Sequence, residues 1–110
     1  MKVAQVAYYE AYRGINIQDN EKIVLESKDL EYCYWFARYV PLANIKAFEE
    51  AILENKDHSW CYFFAKDVKE SNKEELFKVV LESGDKDYIN NFLKYIDFNK
   101  EKFADYLLFI

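Results

Sequence analysis

Two cysteines, Cys33 and Cys61, and one histidine, His58, are the side chains of this sequence best suited to covalent, acid–base or metal chemistry. His58 stands three residues ahead of Cys61, a spacing that shares one helical face, with Asp57 before it and Ser59 after it. An enzyme centre or metal site built here would draw on His58 and Cys61, with Asp57 as a further ligand. Structural zinc takes four ligands in compact spacing, and no second Cys or His pair completes the set. A general base needs a partner placed by the fold, and Ser59 has no elbow or glycine-rich motif around it. The only glycines are Gly14 and Gly84, so there is no phosphate loop and no G-x-G-x-x-G. The expectation is a non-enzymatic protein with no metal and no cofactor.

The cysteines have a simpler explanation, because the sequence around them occurs twice. EYCYWFARYV at 31–40 returns as SWCYFFAKDV at 59–68, an offset of 28. Nine of the sixteen positions in 25–40 are identical in 53–68. A third, more diverged copy keeps the register: Leu25, Leu53 and Leu81 align, as do Asp29, Asp57 and Asp85, then Phe36, Phe64 and Phe92, then Val40, Val68 and Ile96. Cys33 and Cys61 share their slot with Ile89, which marks a small-to-medium apolar core position rather than a ligand. Equivalent positions on stacked helices lie about 8–10 Å apart, too far for a disulfide without distortion.

Each copy has the pattern of a helical hairpin. Tyr32, Phe36 and Val40 recur at i, i+4 and i+8, an apolar stripe on a helix, with Asp29 in N-cap position ahead of it. The other half of the unit places Phe48, Ala51, Ile52 and Leu53 together, after Asn44 as a cap. Ser71 with Glu74 three residues on has the form of a capping box. Helices are predicted near 3–12, 17–27, 30–40, 45–55, 58–69, 73–83, 86–96 and 100–109, broken at Pro41 and Gly84. The fold expected is all-α: a short right-handed α-solenoid of about four 28-residue hairpins, forming a single repeat domain over 1–110.

The run LESKDLEYCYWFARYVPLANIKAFEEAI resembles the short helical-hairpin repeats of bacterial and phage proteins. It is more distantly similar to HEAT- and armadillo-type solenoids, whose units are longer. The resemblance covers nearly the whole chain and implies a helical scaffold that binds other macromolecules. It brings no catalytic residues with it.

Three surfaces are candidates for such binding. At 100° per residue, Tyr34 and Arg38 fall opposite the stripe of Tyr32, Phe36 and Val40. Tyr62 with Lys66 repeats the arrangement, Lys94 continues it, and Trp35 and Phe63 lie on its flank. Tyr, Trp and Arg are the residues that anchor interfaces, so this ladder is the first expectation for a protein partner. The second is acidic: twenty Asp and Glu against fifteen Lys and Arg give a net charge of −5, with Glu26, Glu54 and Glu82 in register. A compact acidic protein of this kind could occupy a basic nucleic-acid channel, as a phage inhibitor aimed at a host nuclease or an anti-CRISPR would. The third is the end of the chain, where Phe103, Tyr106, Leu107, Phe109 and Ile110 leave little polar face and point to homodimer or partner contact.

The totals bound the rest. An acidic balance disfavours direct nucleic-acid binding. The sequence has no apolar run near the ~20 residues of a membrane span, and its start does not read as a signal peptide. Two cysteines among many Lys, Asn and Glu fit a reducing cytoplasm. Aromatic residues make up 19% of the chain, ten of them Tyr, and a tyrosine is costly to bury unless its hydroxyl is satisfied.

Overall fold

Aspartates at the heads of alternate helices set the frame. Asp29 accepts from the Tyr32 amide, Asp57 from the amides of Ser59 and Trp60, and Asp85 from those of Asp87 and Tyr88. Each satisfies amides that the first helical turn leaves without an intrahelical partner. The computed structural model describes residues 1–108, and its chain divides into two compact units, Met1–Asn55 and Lys56–Ile110. The described residues are all-helical.

The first unit contains α1 (Val3–Tyr12), α2 (Ile17–Ser27), α3 (Leu30–Tyr39) and α4 (Ile45–Asn55). α1 lies along α2 and also touches α3, while α3 turns back onto α4. Ala4, Ala7 and Ala11 are buried on one face of α1, where small side chains let neighbouring helices approach closely. Val24, Cys33, Phe36, Phe48 and Ile52 fill the interior, with the Phe36 and Phe48 rings stacked at 4.9 Å.

The second unit contains α5 (His58–Asp67), α6 (Lys73–Ser83) and α7 (Lys86–Tyr95). A 3₁₀ turn (Lys100–Phe103) then runs into a short α8 (Ala104–Leu107). α5 packs against α6 and α7, and α6 against α7. The interior is a cluster of phenylalanines centred on Phe77, whose ring lies 4.9 Å from each of Phe92, Phe98 and Phe103.

The 28-residue register is visible in local geometry as well as in sequence. Phe36, Phe64 and Phe92 are all fully buried. Ser27 and Ser83 each donate to the carbonyl three residues back, at 2.6 Å, and each accepts from the amide of the following capping aspartate. Lys28, Lys56 and Gly84, the residues just before those aspartates, all adopt positive φ (57°, 52° and 72°). The left-handed turn is the repeated requirement. Only the third copy meets it with the residue that bears it most cheaply.

Seven of the expected helices are present, with differences at their ends. α3, α5 and α7 stop one or two residues early, because Val40, Val68 and Ile96 turn extended while remaining buried. The capping box expected at Ser71 is corrected: Asn72 caps α6 through the Glu75 amide, while Ser71 bonds back to the Val68 carbonyl at 2.6 Å. The single helix expected over 100–109 is also corrected. Its described part is the 3₁₀ turn plus α8, and Lys100 donates to the Leu93 carbonyl near the end of α7.

Two of the capping aspartates carry a pH signature. Hydrogen bonding from the Ser59 hydroxyl, ahead of the amide bonds, holds the Asp57 carboxyl below its ordinary 3.8. The His58 imidazole does the same for Asp85, with its Nε2 3.1 Å from the carboxylate. Depressed carboxylates lend stability that is present above their unfolded values and lost as pH falls through the folded ones. Urea midpoints taken from pH 7 down to pH 2 should therefore fall below about pH 4. In Asp57→Asn, which keeps a cap oxygen but cannot titrate, that fall should be shallower than in the parent protein.

Candidate interaction surface

His58 and Cys61 have different surroundings. The His58 ring faces Asp85 and sits edge-on to Tyr88 at 5.1 Å, while Cys61 is buried among core residues of α5. Asp57 is engaged by Ser59, whose hydroxyl lies 2.5 Å from its Oδ1. Both cysteines are buried thiols. Burial pushes the Cys33 thiol up to about 12, far from the thiolate a nucleophile needs. Among the described residues, no three His, Cys, Asp or Glu side chains gather in a metal-binding group. No helix among them is long and apolar enough to cross a membrane.

The aromatic-and-basic ladder is rearranged. Tyr34 and Tyr62, expected on an outward face, are buried, with 5% and 6% of their surface exposed. α5 shows why. Its buried residues, Cys61, Tyr62, Phe64 and Ala65, span an arc of roughly 160° at 100° per residue. That arc is centred near Cys61 and Ala65, and the stripe of Trp60, Phe64 and Val68 is only one edge of it. The helix is covered on one side by α6 and on another by α7, so two contact stripes merge into one broad buried face. Tyr62 occupies the far edge, with its ring 5.6 Å from Tyr88 and 6.3 Å from Phe92 of α7. Tyr34 keeps its polar end satisfied by accepting from Arg38 Nη1 at 2.7 Å.

The cations expected in the ladder are exposed, and each lies over a ring in its own helix. The Arg38 guanidinium is 4.8 Å from the Tyr39 ring centre, the Lys66 ammonium 6.0 Å from Tyr62, and the Lys94 ammonium 5.1 Å from Tyr95. Such contacts contribute about 0.5–1 kcal/mol at exposed sites. Phe63 is at the surface, edge-on to Trp60 and Tyr62. Trp35 is half-buried and stacks on Tyr39 at 5.5 Å with only 15° between the rings.

Trp35 belongs to a larger assembly in the first unit that the ladder did not anticipate. Tyr8, Tyr9, Tyr32, Trp35 and Tyr39, with Glu31, line a cleft of about 300 Å³ on α1 and α3. Tyr9, Tyr12 and Tyr39 expose 51%, 57% and 42% of their surfaces, more than packing requires of an aromatic ring. Burial raises the Tyr8 phenol above its ordinary value, with the phenols of Tyr12, Tyr39, Tyr9 and Tyr32 adding to the effect. The signal was present in sequence: Tyr39 stands four residues after Trp35, and Tyr8, Tyr9 and Tyr12 share the same spacing rule on α1.

At the end of the chain, Phe103 is corrected from a surface residue to a core one. It is buried edge-on against Phe77, because the 3₁₀ turn swings it inward. Tyr106 and Leu108 are exposed and Leu107 is half-buried, whereas Phe109 and Ile110 lie outside the described residues.

No protein-family model matches this chain, and neither a curated protein nor a solved structure matches it.

Proposed function

We propose that this chain is a non-enzymatic interaction module that holds a protein partner through the exposed aromatic face of α1 and α3. The observation that carries the reading is the grouping of exposed Tyr9 and Tyr39 with half-buried Trp35 along one cleft, with Tyr12 also exposed on α1 and Arg38 over the Tyr39 ring. Large rings that shed water without losing much rotamer freedom, next to a guanidinium, are the usual anchors of protein contacts. Phe63, Lys66, Lys94 and Tyr95 give the second unit a smaller surface of the same type. The 28-residue register supports reading the hairpins as a short right-handed α-solenoid of about four repeats, a scaffold suited to this role. Buried thiols are in keeping with a cytoplasmic setting.

The test is the affinity of Tyr39→Ala for a protein captured by the parent chain. A loss of about tenfold or more, with the thermal midpoint within about 2 °C of the parent, supports the surface. Unchanged affinity removes it.

A second reading is favoured by one observation. Glu26, Glu54 and Glu82 are all exposed, while the aspartates beside them are occupied as caps, so the residual acidity faces solvent. On this reading the chain is an acidic inhibitor that fills a basic channel. Its mark would be binding that collapses between 0.05 and 0.5 M salt and in Glu→Gln variants, on the order expected for screened surface charge.

A further inference from the structure

The cleft on α1 and α3 has a composition more specific than a general protein contact. Its wall is five aromatic rings and its one charged lining residue is Glu31. The rings do not form an open parallel slot. Tyr8 is inclined at 53° to Tyr9 and 48° to Tyr32, with centres 5.4 and 6.0 Å away. The one nearly parallel pair, Trp35 and Tyr39, is closed upon itself by stacking.

Tilted π faces around a concave space attract positive charge from several directions at once. A flat guanidinium prefers a parallel slot, and here Arg38 already lies over the Tyr39 ring at 4.8 Å. A bare ammonium is strongly hydrated and loses that water at high cost; the chain's own Lys2 ammonium sits on Asp29 at 3.2 Å instead. A rounded cation whose charge is spread over methyl groups gives up little hydration and matches both the rings and the carboxylate. The volume lies at the lower end of small-ligand sites, about 300–1,000 Å³.

We propose that this aromatic cleft binds a methylated ammonium group, held by the rings of Tyr8, Tyr9 and Tyr32 and by the charge of Glu31, with the stacked Trp35–Tyr39 pair closing the rest of the lining. The proposal rests on reading the aromatic face of the first unit as a contact surface, and it names the chemistry that surface selects. The group could be carried by a small quaternary amine or by a methylated lysine of a partner.

The experiment uses the full chain with Trp60→Phe, which leaves Trp35 as its only tryptophan. Its fluorescence is titrated with tetramethylammonium chloride against sodium chloride at equal ionic strength. A saturable change with tetramethylammonium alone, weakened roughly fivefold by Glu31→Gln and lost in Tyr9→Ala, is the expected result. Glu31 and Tyr9 are exposed, so circular dichroism should show both variants folded. A non-saturating response equal to that of sodium, or a saturable one indifferent to both variants, overturns the proposal. Choline and a trimethyllysine peptide then separate the sources: tighter binding of the peptide assigns the cation to a protein, and equal or tighter binding of choline to a small molecule. If the titration fails while Tyr39→Ala still loses the partner, the contact surface stands and the cation chemistry falls.

Discussion

Truncating Phe77 to alanine is expected to cost about 4 kcal/mol of stability, toward the upper range for a buried phenylalanine. The ring is fully buried and stands 4.9 Å from Phe92, Phe98 and Phe103, so three other aromatic side chains lose a face when it is removed. Those partners come from α7, from the segment after it and from the 3₁₀ turn. The cavity therefore cannot be closed by moving one helix. For a chain of this size the thermal midpoint should drop by roughly 15–25 °C. Phe77→Leu, which keeps most of the volume, should lose about a third as much. Calorimetry or thermal circular dichroism reads both. A Phe77→Ala midpoint within a few degrees of the parent would mean that the phenylalanine cluster does not organise the second unit.

Tyr62→Ala should cost about 3 kcal/mol, and Trp35→Ala much less. At the level of sequence both positions belonged to the ladder, Tyr62 on the outward face of one repeat and Trp35 on the flank of that face in the preceding repeat. The structure divides them. Tyr62 is 6% exposed and wedged against Tyr88 and Phe92, and burial raises its phenol above the ordinary value. Trp35 is half-buried and rests mainly on Tyr39. A binding defect in Tyr62→Ala would therefore be confounded with unfolding, whereas Tyr62→Phe keeps the ring and should be nearly neutral. Chemical denaturation of the three variants checks the order. Equal stability for Tyr62→Ala and Trp35→Ala would return Tyr62 to the surface.

The parts of the fold legible in sequence are those fixed by short-range rules. Asp29, Asp57 and Asp85 announced three helix starts, and a capping oxygen acts on amides two or three residues away. Phe36, Phe64 and Phe92 announced the interior, since an apolar residue recurring in register has to be covered each time. At the end of α3, Pro41 disfavours helical geometry at Val40, whose ψ is 121°, but Val68 and Ile96 turn extended at the same register with no proline after them. The rest depends on which helices lie alongside. The width of the buried arc on α5 reflects two neighbours at once, and a single-helix projection centred it on the wrong stripe. The inward turn of Phe103 depends on the space beside Phe77, which nothing near residue 103 encodes. The left-handed turns at Lys28 and Lys56 were hidden because lysine gives no hint of positive φ. The aromatic cleft was hidden because its rings come from two helices, α1 and α3, whereas the expected ladder runs along α3, α5 and α7 and leaves α1 out.

The most direct measurement is quantitative affinity capture from host lysate by three immobilised chains: the parent, Tyr62→Phe, and the double variant Trp35→Ala with Tyr39→Ala. Mass spectrometry reads what each retains, after thermal melts have shown all three folded. An exposed aromatic contact face predicts a protein held by the parent and by Tyr62→Phe and lost from the double variant. The same protein held equally by all three chains would contradict it.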